Sequence, residues 1–272
     1  IDMYSKCGLI ADAYSVFKRI CYRRRVGDWN SMISGLSIHG LGQEAVEIFQ
    51  EMERMGIEPN EITFVGLLNA CSHGGMLKEG RYYFELMKEK FHIKPMLQHY
   101  GCMIDLFCRA GLVEEAMIFI DETMPMEPDA MAWKSMLSSC VKYGYVTYGE
   151  HAAAMALDLA PQDSSSYVLL SNMYAKLGRW EGVEKVRELM RERSVRKVPG
   201  CSMVMIHGKI HEFLVGKEMD QVVSSKLGEV IFRLKLEGYE PDLTQVLADV
   251  EEGEKEGMLS VHSEKKAIAF GL

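Results

Sequence analysis

The chain has 272 residues, of which 48% are hydrophobic and 26% are charged, and its formal net charge is −8. This apolar content is sufficient for a buried core and excludes a fully disordered protein. With 24 glycines and 7 prolines the chain is not collagen-like. No uncharged apolar run approaches the roughly 18 residues of a membrane span, so we expect no membrane association. The acidic balance excludes nucleic-acid binding by bulk charge, and any such binding must come from specific residues.

The cysteines and the first residues indicate the context of the chain. Seven cysteines include no C-x-x-C pair, which predicts reduced thiols, buried in helical cores, rather than a disulfide scaffold. The sequence opens at Ile1, in what resembles the middle of a helical unit, and shows no signal or transit peptide. We therefore interpret it as part of a longer protein.

A repeat organises the first two thirds of the chain. Glycines recur at intervals of 32 to 36 residues, at Gly8, Gly40, Gly75, Gly111, Gly144 and Gly178. An aromatic residue lies eleven positions before each of the last five, at Trp29, Phe64, Tyr100, Trp133 and Tyr167. A small residue follows most of these glycines after five positions, and a Phe or Ile follows the first four after nine. Markers that keep this phase indicate an internal structural repeat.

Each unit predicts a pair of helices. The first helix contains the aromatic residue and ends at the glycine, and the second has apolar residues at helical spacing and is stopped by a proline. The small residue lets the paired helices approach closely. The predicted units are 1–25 (partial), 26–60, 61–96, 97–129, 130–163 and 164–197. Because a lone helical hairpin cannot cover its own apolar faces, we predict an all-α solenoid of stacked hairpins.

The repeat resembles one known family more than its nearest rival. The tetratricopeptide repeat expects a Trp and a Leu-Gly pair in its first helix, which these units lack. The strings Ile1–Gly8, Trp29–Gly35 and Leu68–Gly74 resemble plant pentatricopeptide repeats, of the PLS subclass whose units have unequal lengths. The resemblance covers residues 1–197. It implies single-stranded RNA as a partner, with one base recognised per repeat by two or three side chains.

In that family the residue after the first-helix aromatic and the last residue of the unit discriminate the base. These are Asn30 and Asn60 in unit 26–60, a pair that by resemblance favours a pyrimidine. A second, weaker pair is Gly101 and Asp129 in unit 97–129. The alternative for the two asparagines is that they simply cap helix termini.

Other units offer less polar recognition. Unit 61–96 has Val65 and Met96 at the corresponding positions. Units 130–163 and 164–197 have Lys134 and Val168 after their aromatics, and they resemble the E1 and E2 extension motifs of the family. By resemblance these motifs connect the RNA-binding array to an editing domain and bind other editing-complex proteins.

Residues 198–272 change to a two-residue period. Met203–Ile206 and Ile210–Val215 flank a Gly-containing turn, which predicts a β-hairpin in a small α+β region. A helix is predicted from about Met219 to Leu236. The acidic stretch 249–256 is interpreted as a solvated linker or a helix end.

The terminal segment contains the residues with catalytic potential. His262 and Glu264 form an H-x-E motif that, with Pro199-Gly200 and Gly208–Phe213, resembles the opening of the DYW-type cytidine deaminase domain. In zinc deaminases such a His binds Zn²⁺ and the Glu transfers protons, so the resemblance implies His262 as metal ligand and Glu264 as catalytic residue. No P-C-x-x-C is present, and catalytic zinc needs about three protein ligands. Zinc is therefore expected only if the domain is completed, and the chain as given is not expected to deaminate.

The hypothesis that follows is a site-recognition factor for organellar C-to-U RNA editing. It carries an incomplete cytidine deaminase or recruits a deaminase in trans, and we expect it in the mitochondrion or, alternatively, the chloroplast. A non-editing adaptor whose solenoid binds proteins is the competing interpretation. A third is an active zinc enzyme that requires residues absent from this sequence.

Overall fold

The computed structural model describes residues 1–20, 25–197, 200–214, 220–247, 250, 252–260 and 262–272. The chain divides into two compact units, residues 1–173 and residues 174–272. This division falls inside the predicted repeat 164–197. None of the described helices is both long enough and apolar enough to cross a lipid bilayer.

The first unit consists of paired helices. The pairs are α1 (Asp2–Lys6) with α2 (Ile10–Arg19), α3 (Val26–Ile38) with α4 (Gly42–Arg54), α5 (Glu61–His73) with α6 (Leu77–Glu89), α7 (Leu97–Arg109) with α8 (Val113–Ile118), and α9 (Ala130–Tyr143) with α10 (Val146–Leu159). Helix α8 continues into a π-helical turn, Phe119–Thr123. Helix α11 (Ser164–Lys176) begins in this unit.

Two kinds of packing build the stack. Within a repeat the second helix packs on the first, as α4 does on α3 and α10 on α9. Between repeats the first helices pack in a row, α3 on α5, α5 on α7 and α7 on α9. One continuous apolar core runs through these repeats. The predicted α-solenoid of stacked hairpins is thereby confirmed.

The phase of the aromatic markers has a direct physical cause. In three repeats the aromatic residue of the first helix packs against the Phe nine positions after the preceding glycine, and the pairs are Phe17 with Trp29, Phe49 with Phe64 and Phe84 with Tyr100. The ring centroids are 5.1 Å apart for Phe17 and Trp29 and 5.5 Å apart for Phe49 and Phe64. Such aromatic pairs contribute about 0.5–1.5 kcal/mol of stability beyond that from the apolar area they bury. A shift of either marker would lose this contact between successive repeats.

The glycine markers meet two different steric demands. Gly40 and Gly75 follow their first helices with φ of 70° and 65°, a left-handed conformation that glycine adopts without strain. Gly80 belongs to the small residues, and a Cβ there would lie 2.3 Å from Cδ2 of Leu106 on α7. The small residue therefore makes room chiefly for the first helix of the next repeat, and not only for its own partner helix as predicted.

Two expectations about individual residue types need correction. Helix α4 ends at Arg54, whereas Pro59 lies five residues later, so the proline belongs to the connection and does not itself stop the helix. The cysteines in the described residues are free thiols. Cys7 and Cys201 are exposed rather than buried, because neither points into the helical core; Cys21 lies outside the described residues.

The second unit combines helices with a two-stranded sheet. Its elements are α12 (Trp180–Glu192), β1 (Cys201–Ile206), β2 (Lys209–Leu214), α13 (Gln221–Leu236), α14 (Glu252–Ser260) and α15 (Ser263–Gly271). The strands pair antiparallel, with Cys201 opposite Leu214 and Ile206 opposite Lys209. Helix α15 packs on both strands and on α13.

The predicted β-hairpin is present and slightly longer than expected. His207 and Gly208 form its turn with φ of 51° and 75°, the positive values of a type I′ connection. Val215 and Met219, the predicted strand end and helix start, lie outside the described residues. The predicted linker or helix end at 249–256 overlaps α14, which is a regular helix from Glu252 to Ser260.

Candidate nucleic-acid interface

The two asparagines predicted to recognise one base are in direct contact. Asn30 lies on α3, and Asn60 immediately precedes α5. Nδ2 of Asn30 donates a hydrogen bond to Oδ1 of Asn60 at 3.0 Å. Asn30 is only 7% exposed, whereas Asn60 is half-buried. The stacking of α3 on α5 thus joins two residues that are 30 positions apart.

Asn60 also caps a helix, so part of the competing interpretation holds. Its Oδ1 accepts the backbone N–H of Thr63 at 3.1 Å, and the Thr63 hydroxyl accepts the N–H of Asn60 at 3.0 Å. This reciprocal arrangement is a capping box for α5. Asn30 lies inside its helix and caps nothing; its Oδ1 accepts the Thr63 hydroxyl at 2.6 Å. The cap uses only the oxygen of the Asn60 amide and leaves its Nδ2 available to a ligand.

The next pair of positions has no polar side chain. Val65 is half-buried and Met96 is 39% exposed. His99 takes the capping role here: its Nδ1 accepts the N–H of Met96 at 3.0 Å, and its Nε2 lies 2.9 Å from the carbonyl of Glu61. A ring that accepts at Nδ1 carries its proton on Nε2. Burial lowers the pKa of His99, which keeps the ring neutral.

The weaker predicted pair, Gly101 and Asp129, is only half a site. Asp129 caps α9, with its carboxylate accepting the N–H of Ala132 at 2.9 Å, and it is exposed. Gly101 lies on α7, and a Cβ there would meet no atom within 4 Å. A ligand at this position would find open space on one side and a carboxylate on the other.

Unit 130–163 has an ion pair where unit 26–60 has two amides. Nζ of Lys134 lies 3.2 Å from Oδ2 of Asp163, and the Ser165 hydroxyl donates to the same carboxylate at 2.7 Å. The bond from Ser165, followed by the Lys134 contacts, lowers the pKa of Asp163. Asp163 is not among the residues predicted from the sequence. Its place one residue before α11, like that of Asn60 before α5, was the signal that would have identified it.

The two predicted deaminase residues lie close together at the start of α15. His262 occupies the N-cap position, and its Nδ1 is 3.0 Å from Oε2 of Glu264. Both side chains are exposed, His262 by 48% and Glu264 by 73%. Within the ranges that the structure describes, no three His, Cys, Asp or Glu side chains are grouped to hold a metal ion.

A cleft of the second unit lies away from these two residues. It has a volume of about 840 Å³ and is bounded by β2, α13 and α15, with His211, Lys226 and Phe270 among its lining residues. His262 and Glu264 do not line it. The H-x-E motif is therefore a surface feature of the described chain and does not face this cavity.

Family models match successive parts of the chain. The PPR repeat family matches residues 24–73, and the PPR repeat matches 1–24, 62–90 and 99–123. The E motif matches 143–205. The model of the DYW family of nucleic acid deaminases matches 238–272.

Curated relatives match along the whole chain. It is 45% identical over 275 residues to "Pentatricopeptide repeat-containing protein At5g48910" of Arabidopsis thaliana, covering 100% of this chain and 42% of that protein. It is also 45% identical over 275 residues to "Pentatricopeptide repeat-containing protein At1g08070, chloroplastic" of the same organism, covering 100% and 37%. The chain thus spans less than half the length of these relatives.

A solved structure shares the fold. The pentatricopeptide repeat protein PPR10 in complex with an 18-nt psaJ RNA element matches 72% of this chain and 29% of its own, with a TM-score of 0.61 and 17% sequence identity. At this level of identity the likeness concerns the helical architecture alone.

Proposed function

The chain belongs to the pentatricopeptide repeat proteins of the PLS type, with an E motif and a segment of a DYW deaminase domain, and from this premise we propose that it recognises single-stranded RNA for organellar C-to-U editing. The observation that supports RNA recognition best is the contact between Asn30 and Asn60. The two amides of unit 26–60 meet at one point, which suits the recognition of one base per repeat by two or three side chains.

The hydrogen bonds of this pair determine what it offers to a base. The amide oxygen of Asn30 accepts from Thr63, and that of Asn60 accepts from Asn30 and from the Thr63 backbone. Because both oxygens are engaged, the groups left for a ligand are N–H donors. Pyrimidines present carbonyl O2 as an acceptor, so this donor face is consistent with the predicted pyrimidine preference.

The surroundings of the pair suit a base rather than a phosphate. Ile62, two residues after Asn60, is 58% exposed and offers an apolar surface for the face of a base. The net charge of −8 provides no general attraction for the RNA backbone. We therefore expect base contacts to provide most of the affinity for RNA. The affinity should then change less with salt concentration than it does where binding is driven by phosphate neutralisation.

RNA binding by the 272-residue chain tests this proposal. Binding sequences are selected from a randomised 20-nucleotide RNA pool, and each position is then replaced by every base. We expect one position at which a purine in place of the pyrimidine weakens binding and at which Asn30→Ala removes the difference. Asp121→Ala, an exposed acidic residue of another repeat, is the control. Selection of no RNA, together with tight binding of a protein partner, would favour the adaptor alternative.

The E motif and the relatives suggest where the protein acts. The E motif match at 143–205 includes Asp163 but not Lys134. Because these two residues already form an ion pair, their region is assigned to protein contacts rather than to base recognition. Named relatives are labelled chloroplastic or mitochondrial. We propose an organellar location, the mitochondrion first and the chloroplast as the alternative, with other editing-complex proteins, among them a deaminase in trans, as partners.

Zinc chemistry is a proposal about the whole protein. His262 would supply one ligand and Glu264 the carboxylate that transfers a proton, while catalytic zinc needs about three protein ligands. The described residues include no such group of three and therefore do not fit a zinc site by themselves. We assign no deamination step to them.

Metal analysis distinguishes the possibilities. If the proposal holds, the full-length protein should contain about one zinc per chain at this site, and His262→Ala should lower that content, whereas His207→Ala, on the hairpin turn, should leave it unchanged. Equal zinc content in all three proteins would remove His262 from the ligand set. Retained editing of a reporter RNA by a zinc-free protein would favour recruitment of a deaminase in trans.

A further inference from the structure

Thr63 lies at the centre of the amide pair, yet it belongs to neither predicted recognition position. Its side chain is fully buried. The hydroxyl lies 2.6 Å from Oδ1 of Asn30 and 3.0 Å from the backbone nitrogen of Asn60. A hydroxyl has one proton to donate. Two acceptors lie within reach of that proton, Oδ1 of Asn30 at 2.6 Å and Oδ1 of Asn60 at 3.1 Å. Because the Asn60 oxygen already accepts two N–H groups and the Asn30 oxygen is closer, the hydroxyl proton goes to Asn30.

Two hydrogen bonds from Thr63 determine how the two amides are oriented. The cap fixes Oδ1 of Asn60 against the backbone N–H of Thr63. If the Asn30 amide were rotated by 180°, its oxygen would lie 3.0 Å from that same oxygen, and two acceptors would repel each other. The Thr63 hydroxyl supplies the donor that holds the Asn30 oxygen away from this position.

We propose that Thr63 is a positioning residue for base recognition, which rests on the RNA-binding function proposed above. Its buried hydroxyl occupies the oxygen of Asn30, and the oxygen of Asn60 is occupied by its own two N–H donors. The groups left for the ligand are then the Nδ2 hydrogens of Asn60 and the second Nδ2 hydrogen of Asn30. Without the hydroxyl, the oxygen of Asn30 lacks its donor and becomes an acceptor that is available to the ligand. The pair then presents a mixture of donors and acceptors and no longer selects one base edge.

The three described repeats that follow unit 26–60 lack this combination. His99 occupies the corresponding position after Met96, and Ala132 occupies it after Asp129. Ser166 follows Asp163 and lies 3.3 Å from its carboxylate, but the facing residue is a lysine rather than an amide. Of these four described repeats, only unit 26–60 therefore combines two amides with a buried hydroxyl that orients them.

Two substitutions separate orientation from packing. Thr63→Val keeps the shape and the backbone N–H but removes the hydroxyl, and Thr63→Ser restores the hydroxyl. At the RNA position that Asn30→Ala identifies, we expect wild type and Thr63→Ser to distinguish pyrimidine from purine. Thr63→Val should lose about fivefold or more of that ratio, the equivalent of one net hydrogen bond. Discrimination at all other positions should stay unchanged, which a general loss of structure would not allow.

A base analogue tests the same point without changing the protein. Pyrimidin-2-one ribonucleoside keeps the O2 and N3 acceptors of cytidine and lacks the 4-amino donor. Placed in the selected RNA, it should bind wild type as tightly as cytidine does. Weaker binding of the analogue would show that an amide oxygen faces the base and would overturn the assigned orientation. A Thr63→Val protein that discriminates pyrimidine from purine as well as wild type does would also overturn the proposal. If wild type itself shows no discrimination at any position, the proposed function fails and not only the role of Thr63.

Discussion

Replacement of Asp105 by alanine should weaken three consecutive repeats at once. Asp105 lies on α7, and its carboxylate accepts the hydroxyl of Ser72 on α5 at 2.6 Å and that of Ser135 on α9 at 2.9 Å. Nε of Arg109, one turn further along α7, donates to the same carboxylate at 2.7 Å. Burial alone would raise the pKa of Asp105, but these hydrogen bonds outweigh it and the pKa is lowered. The ionised form is thus favoured by the fold.

The magnitude follows from what each partner loses. Ser72 is 1% exposed, and a buried hydroxyl left without its acceptor costs about 1–3 kcal/mol. The Ser135 bond is partly exposed and contributes about 1 kcal/mol. The Arg109 side chain is 51% exposed, so screening leaves its ion pair at most about 1 kcal/mol. Since removal of the carboxylate also relieves its desolvation, we expect a net loss of about 2–4 kcal/mol.

Urea denaturation and amide hydrogen exchange measure this loss. A solenoid need not unfold in one step, and exchange identifies where protection falls. Asp105→Ala should lower the denaturation midpoint and reduce protection in α5, α7 and α9 together, with Asp105→Asn intermediate because it retains one acceptor oxygen. Asp121→Ala, which removes an exposed charge from the same repeat, is the control. An Asp105→Ala protein within 0.5 kcal/mol of that control, or a loss of protection confined to α7, would refute the argument; the 0.5 kcal/mol is about the usual effect of a surface substitution.

The remaining predictions concern packing and pH. Gly80→Ala places a Cβ against buried Leu106 and should destabilise the chain by about 1–3 kcal/mol. Gly101→Ala, whose new Cβ would have no atom within 4 Å, should instead stabilise α7 by about 0.5–1 kcal/mol. Thermal melts that rank the two variants in the opposite order would contradict the packing described. The pKa of His99 is lower in the folded chain than in the unfolded chain, where it is about 6.5. As the pH falls through that value, the unfolded chain binds a proton more readily than the folded chain does, and the free energy of unfolding therefore falls. His99→Thr should reduce this pH dependence between pH 7 and 5, and parallel stability profiles for the two proteins would exclude His99 as its source.

The architecture was predictable from the sequence because each marker meets a steric demand that recurs in several repeats. Trp29 and Phe17 are in phase because their rings touch, and Gly40 is in phase because its φ of 70° suits glycine. The role of Gly80 was only partly predictable. A small residue signals that something approaches closely, but whether the neighbour is the helix of the same repeat or Leu106 of the next depends on how the repeats stack.

The candidate site shows the corresponding limit for polar groups. The repeat phase pointed to Asn30 and Asn60, and the structure joins them. The repeat phase could not indicate which amide atoms remain available, because that depends on Thr63. The Thr63 hydroxyl accepts the N–H of Asn60 in the helix cap and donates to Asn30 of the neighbouring helix α3. The same spacing in unit 130–163 gives an ion pair between Lys134 and Asp163, in which each charge already has its partner. Under the proposed RNA-binding function, two residues at these positions are a necessary signal, and the third residue that orients or occupies them decides whether a base can be recognised.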